Sequence, residues 1–458
     1  MLTDRDEGSV SIRCTSCSKT RVLDRVPKRW TSGDRLLTRM IVSSPWFRLL
    51  ACTLAVARPV GVGTQGRGAA EIAAEASVRR SLDLVRSFEQ ETIDNQVRLC
   101  EIPAPPFGEA ARAAAYAQLM RSVGLTNVRI DASGNVLGER PGRAREPHLV
   151  LSAHLDTVFP ADVPVHVSRD QNWLRGPGIG DDCRGLAVIM AAARALNAAG
   201  IRTGGSITFV GTVGEEGLGD LRGVKALFAT MLRGKSDRFV SVDGDGYAVT
   251  HVGIGSRRYR VTYRGPGGHS YDDFGRASPI NAIGLLVASL SRLDVPAVPR
   301  TTFNAGRISG GTSVNSIASE AWMEVDLRSS DETALARLAA GFQAAVKRAL
   351  DEENGRRKRG DPLTVAIDLV GNRPAGRTEA GTAVLDEAVG ALKALGLPLR
   401  LVEGSTDANL PMSIGIPAIA IGGGGAGRDA HSPRESFDTT DSWKGTQFVT
   451  LLAIALAR

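Results

Sequence analysis

Long apolar runs are missing from this 458-residue chain. A membrane-crossing helix needs about 18–20 consecutive apolar residues, and the nearest approach is Leu49 to Ala57, with Arg48 before it and Arg58-Pro59 after it. Were translation to begin at Met40, that segment would read as a short secretory-like stretch behind a basic flank. The other reading is a disordered polar tail. Residues 1–68 are therefore expected to be a tail or targeting extension, and the compartment, cytoplasmic or exported, stays open.

Aromatic residues are scarce too, at 5%. The chain carries a formal charge of +7, but its basic residues are scattered and not interleaved with the aromatic rings on which single-stranded nucleic acids stack. The run Arg356-Arg357-Lys358-Arg359 reads as a solvated helix end or loop, so no nucleic-acid partner is expected. Of the five cysteines, Cys14 and Cys17 have the spacing of half a zinc knuckle, but no second pair completes it, and no disulfide framework is evident. What remains is the composition of a folded globular chain, long enough for two or three domains.

From Ala69 onward the pattern is regular. Helical periodicity runs from about Ala69 to Cys100 and from Glu109 to Val123, separated by Ile102-Pro-Ala-Pro-Pro-Phe107, whose prolines keep the preceding residues out of the helical region. The short apolar runs His148–Ala153, Ser206–Val213 and Phe239–Val242 read as buried strands, with a helix over Gly185–Ala199 between the first two. Strands alternating with helices predict an α/β class with a mainly parallel sheet. Between 258 and 374 the order changes to strand Arg258–Arg264, helix Pro279–Leu293, strands Thr301–Ser309 and Ala321–Arg328, helix Glu332–Glu353 and strand Leu363–Val370. That β-α-β-β-α-β order is the ferredoxin-like unit. Ser278-Pro279 suits the start of its first helix. Helix Thr382–Leu395 and strand Ile416–Ile421 then resume the first pattern, so a catalytic domain over 69–257 and 375–458 is expected to carry an inserted domain over 258–374.

Only six histidines occur, and their positions are informative. His154 follows an apolar strand, and Asp156, two positions on, projects to the same side if the backbone stays extended. In Gly178-Ile-Gly-Asp181-Asp182, Asp181 either caps the following helix or bridges two metals with its two oxygens. Glu215-Glu216 end the next strand. Adjacent like charges there call for compensating cations or for one group that takes a proton. Asp243 ends the strand after that, and His431 follows the glycine-rich stretch Gly422–Gly425. Strand C-termini of open α/β sheets converge on one crevice. The glycine run lacks the Lys-Ser/Thr ending of a phosphate cradle and reads as a substrate-lining loop. His148, His166 and His251 are taken as structural.

The segments Ser152-Ala-His154-Leu-Asp156-Thr-Val, Gly176-Pro-Gly-Ile-Gly-Asp181-Asp182, Gly214-Glu215-Glu216-Gly, Val242-Asp243-Gly, Gly265-Pro-Gly-Gly-His269-Ser and His431-Ser resemble, as a set and in order, the di-zinc exopeptidases and deacylases. That family includes peptidase T, glutamate carboxypeptidase, acetylornithine deacetylase and succinyl-diaminopimelate desuccinylase. The resemblance implies that His154, Asp181 and Asp243 hold one zinc and that Asp181, Glu216 and His431 hold the other, with Co²⁺ or Mn²⁺ as possible substitutes. Asp156 would orient the His154 ring. Two divalent cations, three ligating carboxylates and one bridging hydroxide sum to no net charge, which leaves Glu215 free as general base.

The resemblance further implies a homodimer through the inserted domain, with His269 stabilising the oxyanion across the interface and Asn315 and Arg328 touching substrate. Arg328 could clamp a carboxylate in a bidentate fork, and an ordinary strand-end salt bridge is the alternative. Cys183 and Arg184 depart from the Lys and small residue usual in relatives, which bears on substrate preference. The expected substrate is a small peptide or N-acylated amino acid. Glu101-Ile-Pro-Ala-Pro-Pro and His154-Leu-Asp-Thr-Val-Phe-Pro160 favour an aminopeptidase or tripeptidase over a deacylase or glutamate-type carboxypeptidase. A non-catalytic metal- or peptide-binding relative would lack the base or a ligand.

Overall fold

A computed structural model describes residues 68–232 and 234–458. The Leu49–Ala57 segment and the Cys14/Cys17 pair lie outside them.

Nine strands form the main sheet, in the spatial order Thr126–Ile130, Val136–Arg140, Ile207–Thr212, Leu149–His154, Arg238–Val242, Ala418–Ile421, Ala248–Gly253 and Gly376–Arg377, with Arg400–Gly404 also paired to Ala248–Gly253. The four strands from Ile207–Thr212 to Ala418–Ile421 are mutually parallel, and antiparallel strands flank them. They are buried along nearly their whole length because both faces are covered. Leu149, Leu151, Ala153, Val240, Val242, Ile419 and Ile421 pack into one buried cluster, and Val150, Phe239, Ala418 and Ala420 pack into another on the opposite face. Alternation of side chains along a strand separates the two sets.

The first cluster is closed by helices that include Cys183–Ala198 and Trp443–Leu456, the second by Arg222–Ala229 and Asn409–Ser413. The expected single helical stretch 69–100 is three helices, Ala69–Ile72, Ala76–Ser87 and Glu89–Cys100. After it, buried Arg112 donates to the carbonyls of Ile102 (3.1 Å) and Leu155 (2.8 Å). The proline elbow is thereby held against the chain just past His154.

The inserted unit is a four-stranded antiparallel sheet in the order Thr301–Gly310, Glu320–Ser329, Gly255–Arg264, Thr364–Arg373. This is the strand order of a ferredoxin-like fold. Helices Pro279–Leu290 and Glu332–Arg356 bury Ile283, Leu286, Phe342 and Val346 against Val261, Tyr263, Met323 and Val325. Asp331 caps the second helix through the N–H of Ala334 at 2.7 Å. Ser278 makes no side-chain cap to the first; its own N–H is instead taken by Glu353 at 2.8 Å.

Candidate metal centre

Parallel strands that end at one edge of the sheet deliver their next residues to a common place. His154 closes its strand, Glu215 and Glu216 follow the strand ending at Thr212, and Asp243 follows the strand ending at Val242. Asp181 precedes the helix Cys183–Ala198, and His431 comes from the loop beyond Gly422–Gly425.

Asp181 sits between the two imidazoles. Its Oδ1 is 2.9 Å from Nε2 of His154, and its Oδ2 is 3.1 Å from Nε2 of His431. Asp243 Oδ1 is 3.9 Å from His154 Nε2, and Glu216 Oε1 is 3.0 Å from His431 Nε2. Two donor groups result, His154–Asp181–Asp243 and Asp181–Glu216–His431, each with its ligand atoms within 4.8 Å of one another. Asp181 is common to both. A further grouping of His154 with Glu215 and Glu216 draws on the same side chains, but a Glu215 oxygen is occupied by Arg373, as described below. Imidazole nitrogens and carboxylate oxygens in threes suit divalent first-row metals such as zinc, so the residues present fit a pair of such ions.

The neighbouring groups fix these donors. Asp182, not Asp181, caps the helix: its carboxylate accepts the N–H groups of Gly185 (3.0 Å), His154 (2.9 Å) and Gly244 (3.3 Å). Asp181 is thus left free for the cleft. His154 Nδ1 lies 2.9 Å from the backbone carbonyl of Asp156 and 3.8 Å from its carboxylate. The ring contact therefore goes to the main chain, and the Asp156 carboxylate instead accepts the N–H groups of Glu215 (3.0 Å) and Glu216 (2.8 Å).

Burial and crowding set the charges. Burial pushes His154 down, but its bond to Asp181 and the surrounding carboxylates outweigh this and the net shift is upward. Bonds to Asp181 and Glu216 raise His431 to about 10. Burial would raise Asp181, yet the two imidazoles hold it well below the usual carboxylate range. Asp182 and Asp243 are pushed up by burial and by like charges nearby. So many carboxylates in one place favour a bound cation.

Three contributors carry no local signal in the sequence. Glu435, buried on the short strand Ser436–Asp438's approach, accepts the N–H groups of Gly178 (2.9 Å), Gly180 (2.8 Å) and Asp181 (3.0 Å) and so holds the Asp181 loop from below. Buried Arg184 turns into the core, where it donates to the carbonyls of Gly423 (2.9 Å) and Ser442 (2.6 Å) and fixes the glycine run that the sequence marks as substrate-lining. Arg373, the last residue of the inserted sheet, donates to Glu215 Oε1 at 2.9 Å. Each meets its partner only through the fold, across 239, 158 or 255 residues of sequence.

The cleft beside the donors has a volume of about 490 Å³. Asp181, Glu215, Glu216, Asp243 and His431 line one side, and Arg258, Arg328 and Arg373 approach from the inserted sheet. Arg328 uses its Nε on Asp326 at 2.7 Å. His269 and Asn315 do not line this cleft. They sit together on the small hairpin of Gly268–His269 and Ser316–Ile317, where the Asn315 carbonyl accepts the N–H of Ser270 at 3.0 Å.

Residues 150–455 match the profile of Peptidase family M20/M25/M40. Carboxypeptidase G2 of Pseudomonas sp. (strain RS-16) is 27% identical over 317 residues, covering 66% of this chain and 72% of that protein. The solved aminopeptidase PepT of Bacillus cereus superposes with a TM-score of 0.65 at 21% identity, over 81% of this chain and 99% of its own. A Bacillus subtilis protein described as a dinuclear metal binding peptidase from the M20 family superposes at 0.60 with 17% identity, over 81% and 99%. The motif set, the sheet topology and this profile agree: the chain belongs to peptidase family M20/M25/M40 and is a metallopeptidase or amidohydrolase.

Proposed function

We propose that the protein hydrolyses an amide bond of small peptides, as an aminopeptidase or tripeptidase, with Glu215 as general base. The observation that carries this reading is the Asp181 bridge between His154 and His431, with Glu215 beside it and outside the bridge. His154, Asp181 and Asp243 would hold one divalent ion, and Asp181, Glu216 and His431 the other, with zinc as the first candidate. When bound, the ions would polarise the scissile carbonyl and make an attacking water more acidic.

Glu215 takes the proton of that water and hands it to the leaving amine. Arg328, with both terminal nitrogens left over from its bond to Asp326, is suited to a substrate carboxylate, as at the free C-terminus of a tripeptide. The same cationic wall and the likeness to carboxypeptidase G2 support a second reading, cleavage of an N-acyl or C-terminal amino acid.

We further propose a homodimer through the inserted domain, in which His269 and Asn315 serve the partner's cleft. Supporting it are the edge position of strand Thr301–Gly310 and the exposure of Ile308, Val314, Tyr271 and Phe274 around the hairpin that bears His269. Exposed apolar groups clustered on one region mark an association surface.

Glu215→Gln tests the base: two metals per chain should remain while turnover is lost, and unchanged turnover would remove Glu215 from the mechanism. A panel of tripeptides and N-acetyl amino acids, run with and without chelator, decides between the two substrate readings.

A further inference from the structure

The turn that carries Glu215 is gripped from two sides. From the catalytic sheet, Asp156 takes the N–H groups of Glu215 and Glu216. From the inserted sheet, three residues make four contacts on the same short turn. Arg373 donates to the Glu215 carboxylate at 2.9 Å and also to the Glu215 carbonyl, Arg258 donates to the carbonyl of Gly217, and the N–H of Asn372 goes to Asp220 at 2.7 Å. Arg373 is 4% exposed and Glu215 is 5% exposed, so this ion pair is shielded from solvent. Ser405 gives Arg373 one more contact, at 3.3 Å from Nη1.

A guanidinium that binds one carboxylate oxygen and the carbonyl of the same residue fixes side chain and main chain together, which a point charge could not do. Among the described residues it leaves Oε2 of Glu215 without a hydrogen-bond partner, and that oxygen is available to receive a proton.

We infer that Arg373 is a positioning residue for the catalytic base: it holds Glu215 through Oε1 so that Oε2 faces the reacting water, and it does so from the inserted domain. This rests on the reading of Glu215 as base given above. The inserted domain therefore completes the catalytic constellation within its own chain, beyond any role in dimerisation or substrate contact. A misplacement of about 1 Å in such a group costs about 100-fold in rate.

The test uses the metal-loaded full chain with Arg373→Met, Arg373→Lys and Arg373→Ala, with metal content, thermal unfolding, kcat and KM measured for each. Arg373→Met should keep two metals and its cooperative unfolding, and lose about 100-fold in kcat with little change in KM. Arg373→Lys, which keeps the charge without the fork, should fall between it and wild type. Added methylguanidinium should restore part of the rate to Arg373→Ala and none to Glu215→Gln. An unchanged kcat in metal-loaded Arg373→Met overturns the proposal. So does a defect confined to KM for carboxylate-bearing substrates, which would assign Arg373 to substrate, and so does loss of metal or of cooperative unfolding in all three variants, which would make it merely structural. Turnover by Glu215→Gln would instead sink the base itself, so the two failures are distinguishable.

Discussion

The carboxylate of Asp182 accepts the backbone N–H of His154 at 2.9 Å while capping the helix that begins at Cys183. One residue thereby ties the strand end that carries His154 to the loop that carries Asp181. Adjacent aspartates so divide their work: Asp182 serves the fold and Asp181 the cleft. Asp182→Ala should cost about 1–3 kcal/mol through unpaired buried N–H groups and a lost cap. Asp181→Asn should leave stability of the metal-free protein nearly unchanged and weaken metal binding. Denaturant titration beside chelator competition separates them; equal stability losses would contradict the division.

Glu435 supports the same loop through three N–H bonds to a buried carboxylate. Glu435→Gln, which replaces an acceptor oxygen by a donor facing N–H groups, should weaken metal affinity by about 10–100-fold, as loss of supporting shells does elsewhere. Competition with a fluorescent chelator measures it.

The candidate ligands other than His431 stand out in the sequence because they lie at or just past the ends of apolar strands or before a helix, a pattern visible in one dimension; His431 is marked only by the glycine run that precedes it. His154, Glu216 and Asp243 fall where a parallel sheet must expose its strand ends. The supporting residues were not legible, because Arg184, Arg373 and Glu435 meet their partners over separations of 239, 158 and 255 residues. Short elements were missed for another reason. Strands such as Trp173–Arg175 and Ala426–Arg428, only three residues each, are too brief for a period to register. Ser278 is the opposite case, a good local start signal whose side chain makes no cap, while its backbone N–H goes to Glu353.

Asp407 provides a pH-dependent prediction. Burial first, and then the charge of Glu215, raise its carboxyl to about 7 from 3.8. The native state thus holds a proton that the unfolded chain has already lost, so this contribution to stability is fully present below pH 3.8 and is lost as pH rises through about 7. Through this group, wild type should lose thermal stability as pH rises from about 4 to about 7. Asp407→Asn, a neutral mimic of the protonated acid, should lose less. Parallel losses in the two proteins would show that Asp407 does not titrate there.

Whether His269 acts within its own chain or across a dimer can be decided by mixing two inactive variants. Val314, fully exposed beside the His269 hairpin, is placed to be covered by a second copy. Val314→Asp should therefore shift the protein from dimer to monomer in light scattering and reduce activity without loss of metal. Glu215→Gln lacks the base in its own cleft but carries an intact His269, and His269→Ala has the reverse composition. If His269 serves the partner, a heterodimer of the two contains one complete site, and subunit exchange should return activity to a mixture whose parents have none. If His269 serves its own cleft, every site in the mixture lacks one group and the mixture stays inactive. Its absence from the lining of its own chain's cleft makes the first outcome the expected one.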